Sequence, residues 1–493
     1  MQGMQNADTG FFGHPRGLAT LFFIEMWERF SYYGMRALLI LFMTAPTDTG
    51  GLAFPVTKAG AIYGLYTAMV YLLSLPGGWF ADRISGQQRA VLYGGILIAT
   101  GQFCLAAPAI GVFYFGLVLL VFGTGLLKPN VSTIVGHLYQ SQDQRRDAGF
   151  SIFYVGINVG ALIAPLICGY LGERISWRLG FGAAGFGMLA GLIQYVLGTK
   201  YLGEAGKHPV VPSDPAAAQR EKRNALIGAG TGLAIAAVCA VLASAGTIEI
   251  TPEIISNTVG VLLVIISIAL FSWLIFGAGW TAVERKRFSA ILVLFIASCL
   301  FWAIFEQAGS SLNLFAERNT NNSVLGYAFP ASWFQSVQPI LVVILAPLFA
   351  LLWIRLGKRE PSSPAKFSVA LLFVGLSLAI LVIPAHASEG GARVSPLWLT
   401  MTYFLQTVAE LCLSPIGLSA MTKLAPVRVG GLIMGVWFLS ISIGNFLAGR
   451  AASLYESMPL PTLFGAVGGF VIVTSFILVL LVRPTERLMS GVK

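Results

Sequence analysis

The chain has 493 residues, 56% of them hydrophobic and only 11% charged, with a mean hydropathy of +0.79. A water-soluble domain carries about a quarter of its residues as charges, so a soluble globular protein is excluded. The net charge of +10 reads as loop charge on a membrane protein, and no nucleic-acid partner is expected.

Apolar stretches longer than about 18 residues recur along the chain, and each is long enough to cross roughly 30 Å of hydrocarbon as a helix. The alternation over about 10 residues that marks a membrane β-barrel is absent. The expected class is therefore an all-α membrane protein. Fourteen spans are expected, beginning near Leu18, Ala59, Val91, Gly111, Ala148, Leu179, Ala225, Asn257, Phe288, Phe329, Phe367, Pro396, Val429 and Leu463.

The first span carries Glu25, Glu28, Arg29 and Arg36, which no signal-peptide core holds, so a cleavable leader is not expected. At about 100° per residue, Glu25, Glu28, Arg29, Tyr32 and Arg36 share one face of this helix. Glu25 and Arg29, four residues apart, are placed to neutralise each other. Arg36 needs a partner from another helix. The second span ends at Gly78-Trp79-Phe80-Ala81-Asp82-Arg83, a loop motif with a faint echo at Trp353-Ile354-Arg355-Leu356-Gly357-Lys358.

Lys128 follows in GLLKPNVS, where Pro129 frees a backbone carbonyl beside the charge. Snorkelling to the interface is the alternative, but apolar residues continue on both sides. Tyr154 and Asn158 lie one turn apart in FYVGINVG, where Asn reads either as a ligand contact or as glue between helices.

Residues 200–223 form a polar linker with Pro209, Pro212 and Pro215. The two uncharged spans after it look peripheral. Without them six spans precede and six follow, which suggests a duplicated transporter with its site between the halves. The expected divisions are 1–16, 17–199, 200–286, 287–483 and 484–493. Arg and Lys gather in alternate loops, which places both termini and residues 1–16, the linker and 484–493 on the cytoplasmic side.

In the second half, Glu306, Ser310, Asn313 and Glu317 would share one face of a continuous helix. Gln406, Glu410, Ser414 and Gly417 form a polar face further on, with Pro415 allowing a bend. Each charge deep in a span costs at least about 2.5 kcal/mol at the bilayer centre. Glu25, Glu28, Arg29, Arg36, Lys128, Glu306 and Glu410 must therefore face a cavity or one another. Their formal sum is −1, so one added proton makes the set neutral. The five cysteines lie singly in apolar segments and read as reduced small hydrophobes. No metal or cofactor is implied.

Glu25-Met26-Trp27-Glu28-Arg29-Phe30-Ser31-Tyr32-Tyr33-Gly34 resembles the ExxERFxYYG signature of the proton-dependent oligopeptide transporters of the major facilitator superfamily. Residues 153–160 resemble that family's second signature, and residues 77–86 resemble its cytoplasmic loop motif. The resemblance runs the length of the chain, including two extra helices common in bacterial members. It implies two six-helix bundles with two extra spans in the linker, in a bacterial inner membrane. It implies import of di- and tripeptides by proton symport, with protons as the coupling ion, no cofactor and no enzymatic activity.

Carried over, Arg36 and Lys128 take the peptide carboxylate and Glu410 its amine. Asn158, Ser414 and Gln338 bond the peptide, the family usually carrying Asn where this chain has Gln338. Tyr32, Tyr66, Trp302 and Trp437 line side-chain pockets. Glu25, Glu28, Arg29 and Glu306 handle protons, and Asp82 and Arg83 serve the conformational cycle. Animal members place a histidine in the second span; here a carboxylate would do that work. A monomer is expected to suffice. A channel, a membrane-embedded enzyme, and a nitrate or drug carrier are the competing readings. Glu410 opposite Lys128 favours a zwitterion.

Overall fold

In the computed structural model the described residues are almost wholly helical, with one two-stranded hairpin among them, Ser323–Val324 against Tyr327–Ala328. The structure describes residues 9–140, 143–209 and 251–492, with scattered positions between 219 and 231. The first half consists of α1 (Arg16–Thr44), α2 (Val56–Leu72), α3 (Gln87–Leu105), α4 (Ile110–His137), α5 (Arg146–Tyr170) and α6 (Trp177–Gly198). After the linker comes α7 (Pro252–Phe276). The second half consists of α8 (Ala282–Phe305), α9 (Ser311–Arg318), α10 (Val337–Leu356), α11 (Ser363–Ala379), α12 (Leu397–Leu424), α13 (Gly430–Ser453) and α14 (Leu460–Leu488). The expected span from Ala225 lies outside the described residues.

Among the described residues, 11 helices are long and apolar enough to cross a membrane. The charges of α1 and the glutamines of α3 keep these two out of that set. Yet α1 is buried along most of its length and packs on α5 and α6. It is a central span rather than a surface helix. The described cysteines, Cys104, Cys168, Cys299 and Cys412, are unpaired.

The two halves repeat one packing plan. In the first, α1 packs on α5 and α6, and α3 on α4 and α6. In the second, α8 packs on α13 and α14, and α11 on α12 and α14. With α8 and α9 counted as one span, these are the same pairs of spans in each half. The contact between halves is reciprocal too. The second span of each meets the fifth of the other, α2 on α13 and α5 on α10. A duplicated bundle related by a pseudo-two-fold produces such pairing. At the α2–α13 crossing, Gly60 and Gly64 lie directly against Gly449, and a Cβ on any of them would overlap opposing backbone. Small residues four apart allow this approach in a medium that offers no hydrophobic drive between helices.

Among the described residues, the side-chain hydrogen bonds that cross between halves run from the middle of the spans to the end away from the termini. Asn313 Nδ2 donates to Ala37 O at 2.7 Å, and Ser453 Oγ to Thr57 O at 3.1 Å. Ser442 Oγ donates to Ala68 O at 2.8 Å. Glu173, Leu166 and Leu162 of the α5 side accept from residues 331–336.

One expectation fails. The span containing Glu306 is not continuous. α8 ends at Phe305, residues Glu306–Gly309 tighten into a 3-10 turn, and Ser310 leaves the helical region at φ −129°, ψ −96°. Glu306, Ser310, Asn313 and Glu317 therefore do not share one helical face. The cause is tertiary: Gly309 sits against the Tyr63 hydroxyl and the Arg36 side chain, where no Cβ fits.

Candidate functional site

Arg36 is the pivot of the site. It is buried on α1, and its guanidinium reaches across the halves to the Glu306 carboxylate at 2.9 Å. The helix break supplies a second contact. In an unbroken helix Glu306 O would accept from the amide of Ser310; here Ser310 N turns to Gln307 O at 3.0 Å. The freed Glu306 carbonyl accepts from Arg36 at 3.4 Å. Arg36 Nε donates to Tyr63 Oη at 2.9 Å. The need of Arg36 for a partner from another helix is met.

One turn and more below, Arg29 pairs with Glu25 at 3.2 Å and with Glu28, and its guanidinium lies over the Tyr32 ring. The local neutralisation of Glu25 by Arg29 is thus real, but Glu28 is an additional carboxylate on the same cation. The outer oxygens of Glu25 and Glu28 have no protein partner. Close approach of α5 to this stripe is allowed by Gly156 and Gly160, which lie against Phe22 and Met26.

Lys128 Nζ lies 3.8 Å from the centre of the Tyr71 ring. Glu410 instead accepts from Gln338 Nε2, a bond from α10 to α12 within the second half. Lys128 and Glu410 do not pair with each other across the halves; each meets a partner within its own half.

The remaining candidates divide. The Tyr32, Tyr66, Trp302 and Ser414 polar atoms are buried without a hydrogen-bond partner among the described residues. Buried polar groups are normally bonded, so these four are available to a ligand or to water. Trp437 is buried against Gly417. Asn158 Nδ2 donates to Tyr154 O of its own helix at 2.9 Å rather than gluing two helices.

Asp82 lies apart, in the π turn Ala81–Ser85 at the end that bears the termini, and accepts from Gln87 Nε2 at 2.8 Å. It thereby ties the end of the second span to the first residue of α3. Gly86 follows at φ +76°, a conformation glycine adopts without strain. Arg83 is in the same turn. If this turn fastens a transport state, Asp82→Asn should slow counterflow by about tenfold while peptide binding in detergent stays within about twofold, a lost charged bond being worth about 1.5–3 kcal/mol. Equal losses of binding and flux would refute the assignment.

The sequence reading missed Tyr63, Tyr71 and Glu173. For the tyrosines a signal existed: they sit well inside a span, away from the interfacial belt that tyrosine prefers.

The sequence profile of the POT family matches residues 88–218 and 280–466. The chain is 45% identical to the uncharacterized transporter YclF of Bacillus subtilis over 485 residues, covering 98% of this chain and 96% of that one. It is 38% identical to the di-/tripeptide transporter of Lactococcus lactis subsp. cremoris, covering 100% of both. Among solved structures, that of peptide transporter POT in complex with sulfate superposes with a TM-score of 0.93 at 44% identity, covering 98% of both chains.

Proposed function

The chain belongs to the POT family of membrane transporters, and we propose that it imports di- and tripeptides by proton symport through alternating access. The observation that carries the reading is the Arg36–Glu306 pair, a buried ion pair across the halves beside buried polar atoms that nothing in the protein satisfies. A carboxylate paired with the cation that receives the substrate links a proton to the substrate. Protonating Glu306 cancels its hold on Arg36, which then takes the peptide carboxylate. Proton and peptide each favour the other's binding, as linkage requires.

Opposite charges on the two halves, Lys128 and Arg36 on the first and Glu410 on the second, suit a zwitterion whose binding draws the halves together. The cross-half bonds toward the end away from the termini and the unmade Lys128–Glu410 contact fit a state open toward the cytoplasm, with both termini there. A bacterial inner membrane and a self-sufficient monomer complete the proposal.

The test is uptake of labelled dialanine into proteoliposomes with unlabelled competitors. Dipeptides should compete, and alanine, lactate and nitrate should not. Competition by nitrate without competition by dipeptides would replace the reading with an anion carrier on the same fold.

A further inference from the structure

The unassigned cross-half contact of greatest chemical weight is Glu173. It sits in the π turn Leu171–Ile175 that ends the fifth span, partly buried beside a cavity of about 360 Å³ bordered by Glu317, Arg174 and Arg393. Its two carboxylate oxygens accept from Ala331 N at 2.8 Å and Ser332 N at 3.0 Å. These amides open the 3-10 turn Ala331–Ser336 that leads into α10. The first amides of a helix have no partner within it, and a carboxylate there gains from both hydrogen bonding and the helix dipole. Caps usually come from the residue just before the helix. Here that residue is Pro330, without a polar side chain, and the cap comes from the other half of the molecule.

Two weaker bonds run along the same side. Trp333 Nε1 donates to Leu166 O at 3.1 Å and Ser336 Oγ to Leu162 O at 2.8 Å. Both are neutral, and both use carbonyls inside α5. Close approach is set by Gly169, where a Cβ would overlap the Ser332 hydroxyl. Only the Glu173 contact is charged, and it exists only while the halves touch at this end. It belongs to α5 and α10, whereas the Arg36–Glu306 pair belongs to α1 and the start of the α8–α9 break.

We propose that Glu173 is a positioning residue of the transport cycle, a cross-half cap that fastens the end away from the termini independently of the central ion pair. The inference rests on the alternating-access reading. Losing the cap should move the resting population toward the state open at this end by about tenfold, the usual scale of one charge-assisted bond.

The experiment measures distances between spin labels at Asp48→Cys and Leu325→Cys, two exposed sites at this end, one on each half. The background is a cysteine-free protein that retains dipeptide counterflow. No peptide or proton gradient is present, so the result does not depend on what is transported. Wild-type uptake fails separately if the peptide reading is wrong. Glu173→Gln should enlarge the long-distance population about tenfold relative to the short one. Ala331→Pro, which deletes one of the two amide donors where proline is tolerated, should act in the same direction. The double variant should add little to either. Distances unchanged in both single variants overturn the proposal, as does a loss of thermal stability with distances unchanged, which makes Glu173 a structural residue only. Should Glu173→Gln not fold, Ala331→Pro decides alone.

Discussion

Glu306→Gln is expected to lose accumulation driven by a proton gradient while keeping peptide exchange. The carboxylate lies 2.9 Å from Arg36, and the amide that replaces it has the same shape without the charge. Arg36 keeps its bond to Tyr63 and the Glu306 carbonyl, so the site retains its form. What disappears is the exchange of one proton for one ion pair. A proton moving down one pH unit supports about tenfold accumulation, since one unit equals about 1.4 kcal/mol. The variant should reach only the outside concentration, with counterflow within a few fold of wild type. Misfolding is the competing explanation, because removing one partner of a buried pair costs about 3–5 kcal/mol. Monodisperse protein with intact counterflow excludes it. Accumulation at the wild-type level would move the coupling role to Glu25 and Glu28, whose outer oxygens have no protein partner.

Glu410→Gln is expected to fail differently. Glu410 is held by Gln338 and, among the described residues, by no cation, so its charge is available to an ammonium group. Truncating one member of a buried charged contact costs about 2–5 kcal/mol, which is about 30-fold or more in affinity. Dipeptides with a free amine should bind that much more weakly to the variant, while N-acetylated dipeptides should bind both proteins alike. Titration of the two ligands against purified protein separates recognition from folding. Unchanged affinity for the free-amine dipeptide would remove Glu410 from the amine site.

The parts of this arrangement that were legible in the sequence were those with a strong penalty attached. Charges in an apolar helix admit few placements, so the α1 stripe and the need of Arg36 for a distant partner could be read directly. Of the two uncharged linker spans that read as peripheral, the first lies outside the described residues and α7 exposes most of its surface, as α10 and α14 also do. The break after Glu306 was not legible. Nothing local in EQAGSS forbids a helix; the turn is set by how Gly309 fits against Tyr63 and Arg36. Lys128 and Glu410, each costly in lipid, were expected to face a cavity or another of the seven charges. Tyr71 and Gln338 supply partners that such costing leaves out. Glu173 escaped notice because a carboxylate near a span end costs little, and its value depends on a helix start 158 residues away.

The central claim is that peptide and proton move together because they share Arg36 and Glu306. The most direct measurement is proton entry into proteoliposomes loaded with a pH-sensitive dye, with no gradient imposed and dialanine added outside. The account predicts acidification of the interior that depends on dialanine, saturates with it, and is absent in Glu306→Gln protein that still exchanges dialanine. Dialanine entry into wild-type vesicles without acidification would contradict it.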